Sequence, residues 1–191
     1  MANIPRKQAK TINLGLSYGM GKTKLIKELG LDDTEAEKLF QQYHAKVPFI
    51  RALQDQCARV AMERGYIRTF AGRRCRFDLW ESRYERTLPL PIDEAKEKYG
   101  EDLKRSYTYK ALNRLIQGSA ADMTKLAMIG LWEEGIVPHL QVHDEVDISI
   151  ENTEQANTVT RIMENCVELA VPLLVDMELG ESWGETKEIK R

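Results

Sequence analysis

Arg6-Lys7-Gln8-Ala9-Lys10-Thr11-Ile12-Asn13-Leu14-Gly15-Leu16-Ser17-Tyr18-Gly19 sets two cations, an apolar residue and an aromatic at four-residue intervals. On an α-helix each such step advances about 400°, so Arg6, Lys10, Leu14 and Tyr18 drift by only about 40° per step along one face. A face of that composition suits a nucleotide, with phosphate at one end and sugar and base at the other. The competing interpretation is a surface helix with solvated basic residues and with Leu14 and Tyr18 in the core. Pro5 fits the first turn of this helix, and Gly19-Met20-Gly21 breaks its pattern.

Outward from that helix, Lys22 to Leu29 predicts a second short one. Thr34 with Glu37 reads as a capping box opening a helix to about Lys46, and Pro48 opens another that stops at Gly65. Tyr66 to Phe70 and Arg73 to Phe77 flank Ala71-Gly72 as a β-hairpin. Leu88-Pro89-Leu90-Pro91 reads as an irregular loop. From about Tyr107 to Glu134, Leu112, Leu115, Ile116, Met123, Leu126, Ala127 and Leu131 keep helical spacing. Gly118 costs that helix about 1 kcal/mol, so a close approach by DNA or backbone would explain a small residue there. Leu140 and Val142, then Val146, Ile148 and Ile150, alternate with polar residues as two half-buried strands. His143-Asp144-Glu145 falls at their junction. A helix from Thr153 to about Ala170 and a last strand over Leu174 to Leu179 complete a βαβ-like piece with the hairpin. The fold class is α+β: a helical lobe over 1–65, then a hairpin, a long helix and a small antiparallel sheet with flanking helices over 66–191.

At 191 residues and 42% hydrophobic, the chain can bury a real core. A net charge of −2 gives no global basic surplus for nucleic acid. The surplus is local: Arg6, Lys7, Lys10, Lys22, Lys24 and Lys27 cluster near the start, and Arg64, Arg68, Arg73, Arg74 and Arg76 form a second basic ribbon. Three scattered cysteines without a CxxC pair, and three histidines without finger spacing, argue against a zinc site or disulfide framework. No signal core or membrane-spanning run is evident, so no membrane partner and a cytoplasmic setting, bacterial or phage-infected, are expected.

The opening helix and the distant Gln141-Val142-His143-Asp144-Glu145 together resemble motifs B and C of family A DNA polymerases, the DNA polymerase I family. Gly65-Tyr66-Ile67-Arg68-Thr69-Phe70-Ala71-Gly72-Arg73-Arg74 and Asn113-Arg114-Leu115-Ile116-Gln117-Gly118-Ser119-Ala120-Ala121-Asp122 resemble the same family, in the same order. The similarity runs from about Pro5 to Trp183, weakest over Phe77 to Tyr107, and is closest in character to bacteriophage members. The fold it implies is the helical fingers lobe, holding the nucleotide-binding helix, plus part of the palm.

The resemblance implies that Asp144, with Glu145 nearby, binds two Mg2+ ions in the assembled site, and that His143 lies near the primer end. Mg2+ takes hard oxygen ligands, as carboxylates supply; a turn holding Asp-Glu is equally ordinary turn chemistry. By the same resemblance Arg6 and Lys10 contact the dNTP triphosphate, as fork and point charge, and act in catalysis with Asp144 and Glu145. Tyr18 stacks on the template and swings, with Gly19 giving it room. Gln117 reaches the minor groove of primer–template DNA, Asn113 holds the adjoining loop or template, and Arg73 and Arg74 contact template phosphates. Two positions depart from the pattern. Leu14 stands where the family more often has Phe or Tyr abutting the sugar, so dideoxynucleotide preference is expected to differ; Cys75 stands where many relatives have a third basic residue.

The family is also implied to carry a metal-binding aspartate in motif A, a few tens of residues before motif B, and these 191 residues start too late to hold it. A fragment, or one half of a split polymerase, is therefore expected, nearly inactive alone and prone to associate with a complementing polypeptide or itself. Two other readings compete. Gly19-Met20-Gly21-Lys22-Thr23 ends like a phosphate-binding P-loop, but Leu16 stands where its first glycine belongs. A non-catalytic DNA-binding or structural remnant is the stronger rival, although a mere grip has no use for a magnesium-seeking acid.

Overall fold

The computed structural model describes residues 5–189. Its contacts group into two units, Met1–Gln117 and Gly118–Arg191. The first contains helices α1 (Arg6–Ser17), α2 (Lys22–Leu29), α3 (Asp33–Lys46) and α4 (Pro48–Arg64), strands β1 (Tyr66–Arg68), β2 (Arg74–Arg76), β3 (Leu79–Ser82) and β4 (Leu90–Pro91), helix α5 (Ile92–Tyr99) and strand β5 (Leu103–Arg105). Helix α6 (Ala111–Glu133) contributes its first turns to this unit and the remainder to the second. The second unit continues with β6 (Leu140–Val142), β7 (Glu145–Asp147), α7 (Thr153–Glu164), β8 (Glu178–Leu179) and β9 (Lys187–Glu188). Every strand pair is antiparallel, which makes the fold α+β.

In the first unit α1 and α2 bury Ile12, Leu16 and Leu25 against Leu39, Phe40 and Tyr43 of α3. Leu16 and Leu25 are almost fully buried, worth about 1.5–3 kcal/mol each. A second cluster joins Cys57 and Ala61 of α4 to Ile67, Phe77, Ala111 and Leu112, and so seats the β1–β2 hairpin on α4 and the start of α6. Gly65 ends α4 in the left-handed region at φ 76°, as its sequence position suggests. Among the described residues no helix is long and apolar enough to cross a membrane.

Several local expectations are corrected. The capping box of α3 is Asp32 with Glu35, not Thr34 with Glu37: the Asp32 carboxylate accepts from the Glu35 N–H at 2.8 Å and the Glu35 carboxylate from the Asp32 N–H at 3.3 Å. An aspartate cap two residues earlier also puts negative charge at the positive helix end. The Leu88–Pro91 segment is not an irregular loop throughout. Leu90 and Pro91 pair with Trp80 and Leu79 in a sheet ordered β4-β3-β5, and Pro91 sits on an edge strand, where a missing N–H is tolerated. Arg105 anchors this sheet to α4: its guanidinium lies 4.3 Å from the Trp80 ring centroid and donates to the Met62 and Phe77 carbonyls.

Helix α6 starts at Ala111 rather than Tyr107, because Tyr107 takes φ 61° and a single 3-10 turn follows. In the second unit α7 stops at Glu164, six residues before Ala170. The Asn165 side chain donates to the Arg161 carbonyl at 2.7 Å, and the Glu164 carboxylate accepts from the Val175 N–H at 3.0 Å, which turns the chain back. The expected last strand shrinks to Glu178–Leu179, and it pairs antiparallel with β9 in a two-stranded sheet rather than completing a βαβ-like piece with the hairpin. Gly180 makes that turn possible, since a Cβ there would lie 2.7 Å from the Glu185 carbonyl carbon.

Candidate functional site

Helix α1 turns Ile12 and Leu16, 6% and 1% exposed, into the core. The four-residue stripe lies off that side: Arg6 and Lys10 are exposed and Leu14 is 43% exposed, so Leu14 is not a core residue. The first turn of α1 holds no acid and its N-cap, Pro5, makes no side-chain capping bond. Neither the first turn nor the cap thus offsets the positive end of the helix next to Arg6, a disposition that favours an anion.

At the other end, Tyr18 is half-buried and Gly19 takes φ 85°. Three elements converge there. From α4, Gln54 Nε2 donates to the Leu16 and Ser17 carbonyls at 2.9 Å each, satisfying last-turn acceptors that the helix itself leaves open. From α3, the Tyr43 hydroxyl lies 2.8 Å from Ser17 Oγ and donates to Asn13 Oδ1 at 3.1 Å. From α6, Gln117 Nε2 donates to Tyr18 Oη at 3.0 Å. The fold therefore joins the aromatic expected at the template to the amide expected at the minor groove, 99 residues apart. Asn113 lies one helical turn before Gln117 on α6, half-buried.

Arg73 and Arg74 are both exposed on the hairpin. The Arg73 N–H donates to Thr69 Oγ1 at 3.1 Å, and the Arg74 guanidinium lies 4.9 Å from the Tyr66 ring centroid.

In the second unit His143 and Asp144 form the two-residue turn between β6 and β7, where Val142 pairs with Glu145. His143 takes φ 58°, uncommon for a residue with a Cβ, and its carbonyl accepts from the Gln141 side-chain amide. Asp144 and Glu145 are exposed, and neither carboxylate is engaged by a cation or donor among the described residues. Both border a groove of about 710 Å³ that Asp147, Asp176 and Glu178 also line. Asp147 Oδ2 is buried without a hydrogen-bond partner. Among the described residues no group of three or more His, Cys, Asp or Glu side chains is disposed to hold a metal ion. The Asp144–Glu145 pair nevertheless has the chemistry of a partial Mg2+ site, since Mg2+ commonly takes one or two protein carboxylates and completes its shell with substrate phosphate and water.

Arg6, Lys10, Leu14, Tyr18, Gly19, Arg73, Arg74, Asn113 and Gln117 belong to the first unit, and His143, Asp144 and Glu145 to the second. Gln54, Tyr43 and Asp147 escape sequence reasoning: each is one ordinary polar residue within its element, and only its neighbours in space mark it.

Residues 1–185 match DNA polymerase family A. The chain is 36% identical over 220 residues to a DNA-directed DNA polymerase of Pseudomonas phage M6, covering 97% of this chain and 30% of that one. It is 36% identical over 193 residues to the thermostable DNA polymerase I of Thermus aquaticus, covering 97% and 21%. Among solved structures it resembles the POL domain of Pol1 from M. smegmatis, in complex with DNA primer-template and dNTP, at a TM-score of 0.67 and 28% identity over 88% of this chain and 28% of that one. The chain spans less than a third of the length of these relatives.

Proposed function

The chain belongs to DNA polymerase family A, and on that premise we propose that it is the C-terminal, nucleotide- and metal-binding part of a DNA-directed DNA polymerase, adding dNTPs to a primer 3'-end by two-metal nucleotidyl transfer. The observation that carries the proposal is the open stripe of Arg6, Lys10 and Leu14 on a helix whose core side is filled by Ile12 and Leu16. Cations and an apolar contact held outward on a rigid helix are what a triphosphate and its sugar need. A related POL domain has primer-template DNA and dNTP bound, the ligands assigned to this chain.

In this reading residues 1–65 bind the nucleotide and residues 66–191 follow the DNA and hold the metal. Arg6 grips phosphate oxygens bidentately, and Lys10 adds a point charge against the negative charge that builds on the leaving pyrophosphate. Leu14 abuts the sugar. Tyr18 stacks on the template and must give up its bond to Gln117 when it moves, on the backbone freedom of Gly19. Gln117, once released, meets the minor-groove acceptors that every base pair presents. Asn113 steadies the template side, Arg73 and Arg74 take template phosphates, and His143 stands near the primer end. The primer 3'-oxygen attacks the α-phosphorus as the bond to pyrophosphate breaks, and the hydroxyl proton is released. Asp144 and Glu145 would hold Mg2+, which when bound lowers the pKa of the primer hydroxyl and neutralises the pyrophosphate. The two carboxylates do not make a whole site, so the reading calls for a further acid from a complementing polypeptide or from sequence outside these residues. Exposed Leu140 on the two-stranded β6–β7 sheet suits association with such a partner, or with a second copy.

The test is primer extension by the polymerase containing this chain, or by the chain supplemented with a polypeptide bearing the missing acid. Mg2+-dependent dNTP incorporation is expected, falling by about 10²–10³ or more in Asp144→Asn, as for loss of a preorganised charge-stabilising group. Incorporation unaffected by Asp144→Asn would refute the reading. DNA binding without incorporation would replace it with a binding remnant.

A further inference from the structure

Resting on the polymerase reading, and deepening it at the nucleotide helix, we propose that Tyr43 is a positioning residue for the incoming dNTP: its hydroxyl joins Asn13 to Ser17 and so sets the rotation of α1 that aims Lys10, Leu14 and Tyr18. The hydroxyl lies 2.8 Å from Ser17 Oγ and donates to Asn13 Oδ1 at 3.1 Å, with the Asn13 carbonyl a more distant acceptor at 3.4 Å. A phenol has one proton to give. With that proton on the bond to Asn13, the Ser17 hydroxyl donates to Tyr43, and a chain of bonds runs from Ser17 through Tyr43 to Asn13. Asn13 and Ser17 are four residues apart, so a single hydroxyl grips two successive turns of one flank of the helix.

Each residue advances about 100° around the helix, which places Asn13 and Ser17 between the core side, Ile12 and Leu16, and the open side, Leu14 and Tyr18. An α-helix with its side chains is about 10–12 Å across, so a rotation of about 10° moves the open side by roughly 1 Å. A hydrogen bond to a phosphate oxygen tolerates only about half of that. The other two holds on this end of α1 do different work. Gln54 bonds carbonyls near the helix axis, where leverage against rotation is small, and Gln117 bonds Tyr18, the side chain that has to move. Tyr43 alone of the three grips side chains on the flank that the template and the nucleotide leave untouched.

The grip is mounted on a fixed support. The Tyr43 ring packs on the cluster of Ile12, Leu16 and Leu25 and meets His44 edge-on, ring centroids 5.5 Å apart. Helix α3, which carries it, is tied to α2 by Lys22, whose Nζ lies 3.1 Å from Asp33 Oδ2 and 3.2 Å from Glu37 Oε2. Tyr43→Phe therefore removes the hydroxyl and leaves the packing of the ring in place. Without its bonds α1 populates rotated states, and the apparent dNTP affinity falls in proportion to the fraction of molecules that keep the competent one. A bound nucleotide holds the helix in that state, so the chemical step that follows is unchanged.

The test uses the polymerase containing this chain, with KM and kcat for a single dNTP measured on a primed template. Tyr43→Phe is expected to raise KM by roughly two- to tenfold, the factor a neutral hydrogen bond supports, with kcat unchanged. The same factor should appear in the dNTP Kd of a complex on a dideoxy-terminated primer, where no bond forms. Asn13→Ala, at an exposed position, tests the other end of the chain of bonds without touching the core and should raise KM in the same range. The double variant should be no worse than Tyr43→Phe, because both changes break one connection; KM increases that multiply would show independent loosening of the fold and overturn the inference. Wild-type KM in either single variant overturns it as well and leaves the polymerase reading standing. A wild-type polymerase that incorporates no dNTP overturns that reading itself.

Discussion

Replacing Gln54 with leucine removes the donor that holds the last turn of α1. Gln54 Nε2 reaches the Leu16 and Ser17 carbonyls at 2.9 Å each, and a neutral hydrogen bond contributes a net 0.5–1.5 kcal/mol or so, an upper bound of about 3 kcal/mol for the two. The Leu16 carbonyl retains the Gly19 N–H at 3.1 Å, so it is not stranded, and a loss of about 1–1.5 kcal/mol is expected. With a urea m-value of about 1–3 kcal/mol/M, the midpoint should fall by roughly 0.3–1.5 M at constant m. Gln54→Glu sharpens the test. It keeps the size and shape of the side chain, but an ionised carboxylate only accepts, and it would face two carbonyl oxygens. Its midpoint should fall further than that of the leucine variant. In the assembled polymerase both variants should raise KM for dNTP, since Tyr18 and Gly19 follow directly on the released turn. A Gln54→Glu protein as stable as wild type would refute the reasoning.

Leu14 is expected to set sugar preference: Leu14→Tyr and Leu14→Phe should differ in the ratio of dideoxy- to deoxynucleotide incorporation, and identical ratios would show that this exposed position does not read the sugar. His44 should make stability depend on pH. Burial, and then the positive charge of Arg51, holds its imidazole below the usual histidine value, and Nδ1 is buried without a hydrogen-bond partner. The folded state keeps the ring neutral while the unfolded chain binds a proton near pH 6.5. The contribution is therefore complete above about pH 6.5 and is lost as pH falls through the lower folded value. Urea unfolding at about pH 7.5 and pH 5 should show a smaller acid loss in His44→Gln than in wild type, and equal losses would remove His44 as the cause.

The sequence by itself determined the elements whose signals are local. The spacing of Ile12 and Leu16 on α1, proline opening α4, glycine closing it at φ 76° and the apolar rhythm of α6 each depend on residues within a few turns. The α+β class and the family follow from segments of that kind, in order. Local signals that compete are decided elsewhere: Asp32 and Thr34 both suit a cap, and only the backbone path selects Asp32. Unlike the segments around β1–β2 and β6–β7, those of β3, β4 and β5 carry no apolar alternation or turn signal of their own, so they become legible only when Leu79 meets Pro91 and Ser82 meets Leu103. Glu178–Leu179 has the character of a strand in either reading, and its partner, β9, is fixed by a turn that only Gly180 admits. The candidate site divides the same way. Which residues carry charge, carboxylate or aromatic ring is written in the chain. That Gln117 holds Tyr18, that Gln54 caps α1, and that the Tyr43 hydroxyl joins Asn13 to Ser17 are facts of tertiary structure. Hydrogen bonds between segments far apart in sequence leave no periodicity in either segment alone.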